Sequence, residues 1–200
     1  MRKIILASNN KNKLREFRQL LLPEGFEVIS QREAGVELEA EETGATFAEN
    51  AYIKAKAASD LTGLPAFADD SGLVVDALNG EPGIYSARYG PGHSASDAER
   101  YSYLLEKMKD KDNRKARFGC SICCVFPNGD TVRAEETCEG KILYAPRGAN
   151  GFGYDPVFGP DAVEVGMAEL TPEQKNAISH RGKAVRSFIS KLVRYMNDNE

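Results

Sequence analysis

"KIILASNNKNKLREFRQLL", Lys3 to Leu21, is the stretch on which the fold turns. Its opening run, Lys3 to Ala7, is too short for a helix. It is also too evenly apolar for a half-exposed strand, so it reads as a strand buried on both faces. A polar turn, Ser8-Asn9-Asn10, follows. Beyond it Leu14, Phe17, Leu20 and Leu21 recur at the spacing of one helical face. "FEVIS", Phe26 to Ser30, supplies a second strand. Strand, helix, strand in succession is the building unit of an α/β fold.

The pattern continues outward. Thr46-Phe47-Ala48-Glu49 has the form of a capping box and predicts a helix with Phe47, Ala51, Ala55, Ala58 and Leu61 inward. "PAFA" reads as a strand ending at Asp69-Asp70, and "LVVDAL" as another. Ser96 to Glu99 caps a third helix whose stripe is Ala98, Tyr101, Leu104, Leu105 and Met108. Lys115 to Phe126 and Thr131 to Leu143 read as long strands joined through Asn128-Gly129, a strong hairpin signal. Thr171-Pro172-Glu173-Gln174 opens another helical segment, and the last helix carries Val185, Phe188, Ile189, Leu192, Val193 and Met196 at helical spacing. Alternating strands and helices followed by a hairpin predict an α/β fold with a mixed sheet flanked by helices. Its 200 residues suit a single domain over 1–200, able to bury about 70% of its unfolded surface.

A net charge of −4 argues against wholesale binding to a phosphate backbone, so no nucleic-acid partner is expected. The charge is nevertheless uneven. Arg2, Lys3, Lys11, Lys13, Arg15 and Arg18 face a single acid, Glu16, whereas Glu33, Glu37, Glu39, Glu41, Glu42 and Glu49 crowd the next stretch. No run approaches the roughly 18 apolar residues of a membrane span, and the one after Met1-Arg2-Lys3 is too short for a signal-peptide core. A cytoplasmic protein with no membrane partner is the expectation. Cys120 and Cys123 form a Cys-x-x-Cys, but strand alternation puts Phe118, Cys120, Ile122, Cys124 and Phe126 on one side and Cys123 on the other. The pair is poorly placed to share a metal, and Cys120, Cys123, Cys124 and Cys138 read as buried reduced thiols.

Four stretches carry the chemistry. In "ASNNKNK", Ala7 to Lys13, a turn between a buried strand and a helix start offers free backbone N–H groups and a positive dipole end to an anion. Asn10 and Lys13 add a donor and a charge, although the same residues also make an ordinary helix cap with surface lysines. In "ADDSG", carboxylates at the end of a buried strand emerge where α/β sheets place their sites, and Mg²⁺ is the usual counter-charge for such hard oxygen ligands. An Asx-type turn is the alternative there. In "GANGFGYDPVF", Gly148 to Phe158, the aromatics Phe152 and Tyr154 suit stacking and Asp155 a base edge, or the loop is a core plug. In "EQKNAISHRGKA", Glu173 to Ala184, His180 and Arg181 fall between two helices.

Taken together, "SNNKNK", "EETGATFAENAYIKA", "ADDSGLVVDALNGEPGIYSARY", "GFGYDPVF" and "ELTPEQKNAISHRGKA" resemble the signature blocks of the Ham1/inosine triphosphate pyrophosphatase family, in the family's order and over most of Ile4 to Ala184. Asn9 stands where the family often has Gly, and Ser8 replaces the commoner Thr. The resemblance implies an elongated two-lobed domain with a central cleft, acting as a homodimer. It also implies Mg²⁺-dependent hydrolysis of the purine nucleoside triphosphates ITP, dITP and XTP to monophosphate and pyrophosphate. By the same carry-over, Ser8, Asn9, Asn10, Lys11, Asn12 and Lys13 hold the phosphates, and Glu42 and Asp70 hold the metal. Asp70 also accepts a proton, and Ser71 contacts substrate. Phe152, Gly153, Tyr154, Asp155, Lys175, His180 and Arg181 match nucleoside-binding positions. Asp69 is assigned a supporting role, setting the turn or reaching the metal through water. Two alternatives stand beside this. One is a Maf-like pyrophosphatase acting on pyrimidine or modified nucleotides, against which the "HRGKA" and "GFGYDP" blocks weigh. The other is a nucleotide sensor without turnover, for which Asp70 and Glu42 would be superfluous.

Overall fold

The computed structural model describes residues 2–36, 40–92 and 94–199; Glu37 and Glu39 of the acidic run lie outside them. The elements are β1 (Arg2–Leu6), α1 (Lys11–Leu21), β2 (Phe26–Ser30), α2 (Phe47–Thr62), β3 (Ala66–Val75), α3 (Asp97–Lys107), β4 (Lys115–Val125), β5 (Thr131–Ile142), β6 (Phe158–Pro160), α4 (Pro172–Ile178) and α5 (His180–Asp198). The strands form one mixed sheet in the order β2-β1-β3-β4-β5-β6. β1 runs parallel to β2, with Ile4 opposite Val28, and parallel to β3, with Leu6 opposite Phe67; β5 and β6 are antiparallel. This is the α/β mixed sheet the sequence pattern predicts.

The chain divides into two compact units, Met1–Asp70 with Cys120–Glu136 and Arg181–Glu200, and Ser71–Gly119 with Thr137–His180. In the first unit, period-two alternation sorts the strand residues cleanly between two clusters. Ile4, Leu6, Phe67, Cys120, Ile122, Cys124 and Phe126 pack with Phe17 and Leu21 of α1 and Val185, Phe188 and Leu192 of α5. Ile5, Ala7, Ala66, Ala68, Cys123 and Val125 pack with Ala51, Ala55 and Ala58 of α2. The first of these faces is built around Phe67, whose ring meets Phe17 edge-on at 5.0 Å and stacks on Phe188 at 5.7 Å. Each such aromatic pair adds about 0.5–1.5 kcal/mol beyond its buried area. A one-residue slip of β3 would push Phe67 onto the alanine face, so these contacts fix the strand's register. Cys120 and Cys123 lie in different clusters, on opposite faces, as their spacing predicts.

The second unit packs Leu73 and Val75 of β3, Ala116 and Phe118 of β4, Cys138 and Ile142 of β5 and Phe158 of β6 with Leu104 and Met108 of α3.

Several expectations need correction. The Asp pair does not end a strand: β3 runs unbroken through it to Val75, because each carboxylate meets cations on its own side of the strand. Leu61 is 63% exposed, since the buried face of α2 stops at Ala58 and Ser59. Ala98 likewise faces solvent in the first turn of α3. His180 and Arg181 open α5 rather than linking two helices; only Ser179, the cap of α4, stands between.

Candidate active site

The turn before α1 is built by its own side chains. Asn10 caps the helix, its amide oxygen accepting from the N–H groups of Asn12 at 3.0 Å and Lys13 at 3.1 Å, while Ser8 Oγ accepts from Asn10 N–H. Asn9 Oδ1 accepts from Gln31 Nε2 at 2.9 Å. The first turn of α1 carries no acid of its own to offset the positive end of the helix dipole. Lys11 is exposed, and Asn12 and Lys13 are half-buried. The helix-cap reading of this turn is the one these contacts show.

The two aspartates diverge by strand alternation. Asp69 shares the side of Phe67, where α1 and α5 lie, and its buried carboxylate meets Lys13 Nζ at 3.0 Å and Arg181 Nε at 3.3 Å. Arg181 in turn reaches Glu16 Oε2 at 2.5 Å. Burial opposes the charge on Asp69, but Lys13, Arg181 and Lys54 outweigh it and hold the carboxyl well below the usual carboxylate range. Burial also opposes the charge on Arg181, yet Asp69 and Glu16 keep it firmly cationic. Lys13 and Arg181, assigned from sequence to phosphate and base, are therefore held in this network, and Asp69 is its centre.

Asp70 shares the side of Ala66 and Ala68, beneath α2. Its Oδ1 lies 2.9 Å from Lys54 Nζ, which also lies 2.9 Å from Glu42 Oε1; its Oδ2 accepts from Asn50 Nδ2 at 3.3 Å. Asn50 Oδ1 accepts from Gly44 N–H, and a Cβ on Gly44 would stand 2.7 Å from that oxygen, so the loop needs glycine to come this close. Burial raises the Asp70 carboxyl above its ordinary value; Lys54 and Lys13 oppose the shift and Glu42 adds to it. Glu42 is thereby separated from the exposed Glu41, which spacing alone does not achieve. Asn50 and Lys54 went unassigned in the sequence. The signal available was two polar side chains four apart, one turn of α2, beside an alanine stripe.

Two carboxylates converging on one cation position suit a hard divalent ion that takes its remaining ligands from water and phosphate. Among the described residues no group of three or more His, Cys, Asp or Glu is gathered as a closed metal cage.

In the second unit, Asp155 turns inward. Its Oδ2 accepts from Phe152 N–H at 2.9 Å and pairs with Lys175 Nζ at 2.7 Å, and the same ammonium sits 4.6 Å from the Phe152 ring centre. Tyr154, expected beside Phe152 as a stacking surface, is instead a core residue whose hydroxyl donates to the Ser86 carbonyl at 2.9 Å. Phe152 is left as the half-buried aromatic of the loop. His180 lies flat on Phe118, with ring centres 4.7 Å apart. Ser71, next after Asp70, is half-buried and is the first residue of this unit.

The Ham1 family model matches residues 4–191. A dITP/XTP pyrophosphatase of Vibrio cholerae is 49% identical over 196 residues, covering 96% of this chain and 97% of that protein. A HAM1 protein from Coxiella burnetii has a solved structure that superposes with a TM-score of 0.89 at 45% identity, over 97% of this chain and 100% of that one. The Staphylococcus aureus Ham1 protein gives 0.84 at 41% identity, over 100% of both chains. With a matching family model, near full-length relatives and the same fold, the chain belongs to the Ham1 family.

Proposed function

We propose that the protein hydrolyses non-standard purine nucleoside triphosphates (ITP, dITP and XTP) to the monophosphate and pyrophosphate, in keeping with its relatives being dITP/XTP pyrophosphatases. The observation that carries this reading is the convergence of Glu42 and Asp70 on one cation position in the unit that also holds the Asn10-capped helix start. Glu42 and Asp70 would hold Mg²⁺, which supplies charge neutralisation on the phosphates when bound. Asp70, its carboxyl pushed toward protonation by burial, is suited to take a proton from the attacking water. The water oxygen bonds to the α-phosphorus while the bond from that phosphorus to the bridging oxygen breaks, and pyrophosphate leaves with its electron pair. Lys13 and the N-terminus of α1, with Ser8 to Asn12 around it, receive the departing negative charge. Asn50 and Lys54 hold the Asp70 carboxylate in orientation.

The base is assigned to the second unit, with Phe152 as the stacking ring, Lys175 and Asp155 fixing it, and His180 as a donor. Arg181, which belongs to the first unit and is oriented by Glu16 and Asp69, is assigned to the substrate on the family pattern, as are Gly153 and Ser71, while Tyr154 supports the loop from the core. Hypoxanthine and xanthine present an oxygen at C6 and a proton on N1, where adenine presents a donor and a bare nitrogen. A donor-lined site therefore penalises ATP, by up to about 10⁴-fold in kcat/KM when buried polar groups are mismatched. Guanine shares C6 and N1 with hypoxanthine, so GTP suffers less. We further infer a homodimer working in the cytoplasm, which light scattering and fractionation would check.

A substrate panel with purified protein and Mg²⁺ tests this reading. The expected result is many turnovers of ITP, dITP and XTP, strong rejection of ATP and weaker rejection of GTP. One pyrophosphate or fewer per protein molecule would indicate a sensor, and preference for pyrimidine triphosphates a Maf-like enzyme; either result overturns the reading.

A further inference from the structure

The loop over residues 148–158 is anchored within its own unit at several points. Asn150 donates its backbone N–H to the Ala168 carbonyl at 2.9 Å and its side-chain amide to the Leu170 carbonyl at 3.0 Å. At the other end Tyr154 is tied to Ser86. Between these anchors the Phe152 N–H goes to Asp155, and the next N–H, that of Gly153, goes to Asp97 Oδ2 at 2.6 Å. Asp97 is the first residue of α3, where an acid is ordinarily read as a helix-dipole partner. That end already has its cap, however: Ser96 and Glu99 form a complete reciprocal capping box. Asp97 instead reaches out of the helix, and its second oxygen takes Arg100 Nη1 at 2.9 Å, which fixes the carboxylate.

Gly153 explains why such an anchor matters. Its φ is +63°, and no heavy atom lies within 4 Å of where a Cβ would stand. A glycine in open space has wide conformational latitude, and ordering it when a ligand arrives costs affinity. We propose that Asp97 is a positioning residue for base recognition: by accepting the Gly153 N–H it pre-forms the turn that presents the Phe152 ring. This rests on the assignment of Phe152 to the base given above, and it extends the site to a helix that sequence motifs assign only to structure.

Asp97→Ala and Asp97→Asn test it. In Asp97→Ala, KM for ITP and the inhibition constant of inosine monophosphate should rise about 2- to 12-fold, the net scale of one intramolecular hydrogen bond, with kcat changed by less than about twofold. Inhibition by inorganic pyrophosphate, which has no base, should not move. Amide exchange over residues 148–155 should quicken. Asp97→Asn, whose amide oxygen can accept the same N–H, should restore each value toward wild type. The proposal is overturned if Asp97→Ala keeps wild-type exchange and KM. It is equally overturned if all ligands weaken together, or if Asn is as damaging as Ala, since both mark a residue that only supports the fold. Absence of any ITP turnover by the wild type would sink the proposed function instead. The exchange comparison needs no substrate and would still decide whether Asp97 clamps the loop.

Discussion

Asp69→Asn and Asp70→Asn remove the same charge one residue apart, and their expected outcomes are opposite. The Asp69 carboxylate is enclosed, 3.0 Å from Lys13 Nζ and 3.3 Å from both Nε and Nη2 of Arg181. Removing one partner of a buried ion pair costs roughly 3–5 kcal/mol, because the other charge stays behind uncompensated. Here the survivors keep something. Arg181 retains Glu16 at 2.5 Å, and the Lys13 side chain, 14% exposed, has a route to water. The low end applies, about 3 kcal/mol, which for a chain of this size lowers Tm by about 6–12 °C. Asp70 is the reverse case. Burial already disfavours its charge, and Lys54 keeps Glu42 at 2.9 Å when that charge is gone. Asp70→Asn should melt within about 2 °C of wild type, yet lose roughly 10²–10⁴ in turnover if Asp70 is the general base proposed above. Thermal melts of both variants, paired with pyrophosphate release, give the comparison. An Asp69→Asn protein as stable as wild type, or an Asp70→Asn protein that keeps most of its kcat, would refute the division of labour drawn from the two strand faces.

Other consequences are independent of that pair. The Ser30 N–H, Arg18 and the Ser30 hydroxyl pull the Glu33 carboxyl from its ordinary 4.5 down to about 2. Its folded pKa lies below the unfolded one, so its contribution is present above about pH 4.5 and fades toward pH 2. Glu33→Gln should therefore lower Tm at pH 7 and not at pH 2, and an equal loss at both would contradict the assignment. Lys54→Met removes the cation shared by Glu42 and Asp70, so turnover should fall while the Mg²⁺ concentration needed for half of the thermal stabilisation drops severalfold; an unchanged Mg²⁺ dependence would separate Lys54 from the metal position. Burial pushes the Cys120 thiol up to about 12 and raises Cys123 and Cys124 as well. Thiol reagents should react slowly with the native protein and fully after unfolding, and stoichiometric zinc would contradict the placement of Cys120 and Cys123 on opposite faces.

The parts of the fold that were legible in sequence are those governed by period. The alternation from Phe118 to Phe126 and the stripe from Leu14 to Leu21 each read correctly because burial on a strand or helix face repeats at fixed spacing. The continuity of β3 did not read, because two aspartates look like a strand's end until their partners are known. Those partners, Lys13, Arg181 and Lys54, come from three separate helices. The same holds for the site. Glu42 and Asp70 are singled out by motif resemblance, whereas Asn50 and Lys54, which the structure sets against Asp70, are not, since what distinguishes them is a contact across the fold and not a local pattern. Tyr154 misled for a related reason: an aromatic between glycines looks available, and only the Ser86 carbonyl at its hydroxyl shows that it is core.

The central claim is attack by water on the α-phosphorus, and the isotope position in the products tests it most directly. Hydrolysis of ITP in ¹⁸O-labelled water, with products resolved by mass spectrometry, should place one labelled oxygen in inosine monophosphate and none in pyrophosphate. Label in pyrophosphate would mean attack at the β-phosphorus, and labelled orthophosphate attack at the γ-phosphorus; either would contradict the role given to Asp70 and the phosphate turn.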